Sequence, residues 1–173
     1  MMSKRSKSKA PPPMDAEAAS LDRDIRKAFR KVRRGRITLH QAEVIDEYGS
    51  EGEEQEARQK DTEKSWEQIP DQHISSCTTA LCYFDPISWR YYVPAYMTWA
   101  LRRFRVDGSM SSDSIIYQFA HQGAYQQERF DVLDDAQRQV ICRFLKYMAG
   151  QPGLADARVA QEALDQYWGQ FCD

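Results

Sequence analysis

The sequence has no run of about 18 apolar residues, so no transmembrane helix is expected. Its basic start, MMSKRSKSKAPPPMDAEAAS, has no apolar segment of the kind a secretory signal needs. Glycine and proline are sparse, 8 and 7 in 173 residues, which excludes a collagen-like or low-complexity chain. No stretch alternates with period two for long enough to be a strand, and no internal repeat occurs. The four cysteines, Cys77, Cys82, Cys142 and Cys172, form no C-x-x-C pair. The three histidines, His40, His73 and His121, form no His-x-x-x-His pair. Neither a zinc knuckle nor a thioredoxin-like motif is present, so the reading is four reduced cysteines in a cytoplasmic protein with no metal. G-x-S-x-G is absent, and Gly49-x-x-Gly52 lacks the Lys-Ser/Thr of a phosphate loop. No catalytic residue and no cofactor are read, and an enzyme is not favoured.

What is there is a charge asymmetry. Residues 1–40 hold 12 Lys/Arg and 4 Asp/Glu, a net +8, and the remainder holds 12 and 22, a net −10. A basic front end on an acidic body either binds a polyanion or lies on the body and neutralises it. Residues 1–14 read as a disordered basic tail, with the Pro11-Pro12-Pro13 run and no apolar anchor beyond methionines. Met14 is an alternative start codon. Residues 15–36 read as a basic amphipathic helix, with Leu21, Ile25, Phe29 and Val32 on one stripe and Gly35 as its stop. Residues 37–173 read as the helical domain.

Within that domain Thr38 caps a short helix that Gly49-Ser50 ends. Residues 51–68 follow as an acidic, mainly solvated helix, with Trp66 and Ile69 as anchors before Pro70. Asp71 is read as the cap of the next helix. Tyr83 to Phe104 holds eight of the chain's 20 aromatic residues, with Asp85 as cap, Pro86 at the first helical position and Pro94 as an interruption or kink. Ser111 or Ser112 caps a helix through Phe119. His121 to Glu128 reads as a loop. A helix from Asp134 ends at Gly150, and Pro152 opens the last one. The fold class is therefore all-α, a compact single-domain array of about seven or eight helices.

The phrases ITLHQAEVIDEYGSEGEEQEARQKDTEKSW, ALCYFDPISWRYYVPAYMTWALR, DSIIY and AQRQVICRFLKYM resemble a family of small bacterial proteins that carry an uncharacterised domain. The resemblance covers about residues 37–149. It implies a compact bacterial cytoplasmic domain and brings no activity and no functional residues.

Two functions from different classes follow from the residues. The leading one is a protein-binding module, in which an acidic helical body with aromatic residues holds a basic partner. Immunity proteins of toxin systems, which act as inhibitors, are its analogy in charge and size. Trp89, Arg90, Tyr92, Tyr96 and Arg102 are its candidate partner surface, since Tyr, Trp and Arg dominate interface hot spots. Aromatic residues at helical spacing also build cores. The alternative is a nucleic-acid-associated protein that contacts phosphate through residues 1–36, with Arg23, Arg26, Lys27, Arg30, Arg33 and Arg34 as candidates. A helix-turn-helix is excluded by sign, because the second helix carries Glu43, Asp46 and Glu47 where phosphate would lie.

Overall fold

The computed structural model describes residues 10–106, 110–120, 123–154 and 156–172. Among these residues there are nine α-helices and no strand, as the all-α reading expects. In order they are α1 (Ala16–Ala28), α2 (Leu39–Asp46), α3 (Glu51–Arg58), α4 (Asp71–Ser76), α5 (Pro86–Arg103), α6 (Ser111–Gln118), α7 (Ala124–Asp131), α8 (Asp135–Ala149) and α9 (Ala157–Gln166). Short 3-10 turns fall at Trp66–Gln68, Ala80–Cys82 and Trp168–Phe171. Most of the expected disordered tail lies outside the described residues. Met14, at its end, packs partly buried against the core.

The centre is α5. Asp85 accepts hydrogen bonds from the amides of Ile87 and Ser88 at its start, and Pro86 occupies a position that needs no amide donor. The helix runs on through Pro94 to Arg103. Its residues from Ser88 to Leu101 are buried apart from Arg90, so the helix is walled on nearly all sides rather than amphipathic. Helices α1, α4, α6 and α7 and all but the last of the 3-10 turns pack around it.

Around this axle the remaining elements bury what their sequences offer. Leu21, Ile25 and Phe29 of the first stripe are fully buried, and Trp66 donates its indole hydrogen to the Phe29 carbonyl. Helix α1 ends seven residues before Gly35, so Gly35 is not its stop. A Cβ at Gly35 would lie 2.5 Å from the Ser88 amide nitrogen, so glycine lets this segment pass close under the start of α5. Asp71 does not cap a helix. It takes a two-pronged hydrogen bond from Arg102 and a further one from Arg103.

Two further expectations are corrected. The stretch read as a loop over 121–128 contains most of α7, whose Arg129 is buried and donates to the carbonyls of Cys82 and Phe84. The reading of four reduced cysteines fails at Cys142 and Cys172, which form a disulfide with Cα atoms 5.6 Å apart. They lie 30 residues apart in sequence and meet because the Trp168–Phe171 turn returns against α8. Cys77 and Cys82 are free, the first buried and the second exposed.

Candidate functional site

One face of the molecule gathers acidic side chains around two exposed tyrosines. It begins at the end of α2. The Gly49 amide bonds the Val44 carbonyl and the Tyr48 amide bonds the Ile45 carbonyl, the double closure of a Schellman motif. That motif needs one left-handed residue, usually glycine. Here it is Tyr48, with φ of 57°. Gly49 is required beside it, because a Cβ there would meet the Val44 side chain at 2.3 Å. The Tyr48 ring is 96 % exposed. A non-glycine residue in this conformation costs about 1–2 kcal/mol, and packing returns little of it to a ring in solvent.

The acids near Tyr48 are held in place. Thr79 donates its hydroxyl to Glu43 and to Asp46, at 3.1 and 2.8 Å. A hydrogen bond from Tyr83 pulls the Asp46 carboxyl below its ordinary value, and Asp46 in turn pushes the Tyr83 phenol up to about 12. Tyr83 is exposed as well. Burial pushes the Glu43 carboxyl up against the hydrogen bonds from Thr79. Beyond Tyr48, Ser50 caps α3 and Glu53 returns to the Ser50 amide at 2.7 Å. Glu51, Glu53 and Glu56 stand exposed along α3.

A second surface has the opposite sign. Lys27 in the last turn of α1 and Arg30, Lys31 and Arg33 just beyond it line a groove of about 400 Å³ with Ile87, Arg90, Asp134 and Gln137. Gln137 builds the floor by donating to the Ala28 carbonyl and accepting from Arg90. Asp134 is the only acid in the lining, and Arg90 pairs with it at 3.4 Å. Lys27, Arg30, Lys31 and Arg33 are exposed or line the rim, and none pairs with an acid among the described residues.

The candidates read from the sequence divide accordingly. Trp89, Tyr92 and Tyr96 are completely buried and present no surface to a partner. The Trp89 indole donates to Gln118, Tyr92 accepts from the Leu39 amide, and Tyr96 donates to the Cys77 carbonyl. Arg102 is committed to Asp71, and Arg90 lies in the basic groove instead. Of the phosphate candidates, Lys27, Arg30 and Arg33 converge on that groove. Arg26 is paired with Asp22 and sits over the Trp66 ring, and Arg34 bonds the Asp61 carbonyl and Glu63. Arg23 is exposed on α1 outside the groove lining.

Tyr48, Tyr83 and Lys31 are not singled out by sequence. A glycine at a helix end suggests itself as the left-handed residue, which hides the tyrosine before it. The structure also joins His40, Asp61 and His73, whose separations of 21 and 12 residues match no ligand spacing.

A family model described as a family of unknown function (DUF6714) matches residues 17–172. The match takes in α1 and the last helix, beyond the 37–149 span of the phrases quoted above. No curated protein and no solved structure matches the chain.

Proposed function

The chain belongs to this family of unknown function, which assigns no activity, and from the residues themselves we propose that it is a protein-binding module holding a basic partner on its acidic face. Tyr48 carries the reading. Its backbone pays for a left-handed conformation and its ring packs on almost nothing, so its presence is not explained by stability. A tyrosine gives large contact area at low conformational cost, which suits an interface anchor. Glu43, Asp46 and Glu51 beside it select a basic segment by charge, and such complementarity speeds association and rejects acidic competitors.

The test is retention from nuclease-treated lysate of its own cells by tagged protein. A basic protein is expected to stay bound, to leave with rising salt, and to be lost from Tyr48→Ala. Equal retention by wild type and Tyr48→Ala refutes the reading.

A second reading rests on the basic groove. Four cations without an acid partner, beside Arg90, suit the phosphate backbone of a nucleic acid. Retention that vanishes on nuclease treatment and on Arg30→Glu with Arg33→Glu supports it in place of the first.

A further inference from the structure

A cluster separate from both surfaces joins His40 near the start of α2, Asp61 in the turn after α3, and His73 on α4. One ligand atom from each lies within 4.8 Å of the other two. His40 is tied to Asp61 twice, ring Nδ1 to Oδ1 at 2.6 Å and amide to Oδ2 at 2.9 Å. The Asp61 side chain is 1 % exposed. This pair alone is a satisfied ion pair. His73 is what it leaves over. Its ring meets the His40 ring edge-on at 4.5 Å, and its Nδ1 is buried with no hydrogen-bond partner. A buried polar nitrogen without a partner is uncommon in a folded protein and calls for an explanation. Two imidazoles at this distance also repel if both carry a proton.

We propose that His40, Asp61 and His73 together bind one borderline first-row dication of the zinc class. A metal at the centre gives the orphaned His73 nitrogen an acceptor for its lone pair. Asp61 supplies the carboxylate oxygen. Two imidazole nitrogens and one carboxylate oxygen favour zinc or cobalt over magnesium or calcium, which take all-oxygen sets. Three protein ligands fall one short of the four that zinc usually takes. The ligands come from three separate segments, so loading clamps α2, the turn after α3 and α4 together. The proposal is independent of the acidic face and the groove.

The experiment titrates chelator-treated full-length protein with Zn²⁺ by calorimetry and with Co²⁺ by absorption. One ion per chain is expected. His73→Ala should weaken binding by more than the roughly 10–100-fold that an outer partner of a metal site is worth, with far-UV circular dichroism unchanged. A second readout needs no variant. On Zn²⁺ addition, imidazole nitrogen resonances of His40 and His73 should shift in NMR spectra, and those of His121, the chain's third histidine, should not. No stoichiometric binding overturns the proposal. So does binding that His73→Ala leaves unchanged, or a shift confined to His121.

Discussion

On the acidic face three of the charges, Glu43, Asp46 and Glu53, are pinned. Thr79 holds Glu43 and Asp46 together, Tyr83 holds Asp46 again, and Ser50 holds Glu53. In the basic groove the floor is fixed by Gln137, but Lys27, Arg30, Lys31 and Arg33 pair with no acid among the described residues. Pinned charges lose little freedom when a partner arrives and discriminate by geometry. Loose lysines and arginines attract any polyanion, and salt weakens them readily. The two faces therefore suit different tasks, selective docking on one and diffuse attraction on the other.

The sharpest contrast is with the buried helix α5. Trp89→Ala removes a fully buried indole on α5 and should cost about 3–5 kcal/mol in denaturant unfolding. Arg30→Ala in the groove should stay within about 0.5 kcal/mol of wild type. Equal losses would mean that the groove cations are structural. Next comes Arg30→Glu with Arg33→Glu. If phosphate occupies the groove, the salt slope of nucleic-acid binding should fall by about 1 for each contact removed. An unchanged slope would take the groove out of the comparison.

Smaller effects probe the acidic face itself. Thr79→Val removes the donor shared by Glu43 and Asp46 and should cost about 0.5–1.5 kcal/mol in thermal unfolding. No loss would mean that these carboxylates are as loose as the groove cations. Tyr83→Phe should return the Asp46 carboxyl toward 3.8, as followed by carboxyl NMR titration. The sign follows from the shift. A carboxyl depressed by folding contributes stability above its ordinary value and loses it as pH falls through the folded value. Tyr83→Phe should thus make the face lose charge at a higher pH than wild type.

Much of the fold is legible in the sequence because its signals are local. The Leu21–Ile25–Phe29 stripe and the Asp85-Pro86 start of α5 require only neighbours in sequence. Helix α7 is illegible because AYQQERFD has almost no apolar stripe, and Arg129 anchors it on carbonyls 45 and 47 residues away. The partner surface is misread for a related reason. Trp89, Tyr92 and Tyr96 look alike whether they pack or protrude, and only the surrounding helices decide that they pack. Tyr48 is hidden because the glycine that signals the helix end stands one residue after the left-handed position. His40, Asp61 and His73 share no spacing, so their meeting exists only in three dimensions.

The account turns on Tyr48 being kept for contact rather than for folding. Tyr48→Gly supplies the residue its backbone conformation favours. The measurement is its thermal unfolding together with its retention of the basic partner. The account predicts opposite signs, a stability gain of about 1 kcal/mol with the partner lost. A variant that is destabilised, or one that keeps the partner undiminished, contradicts it.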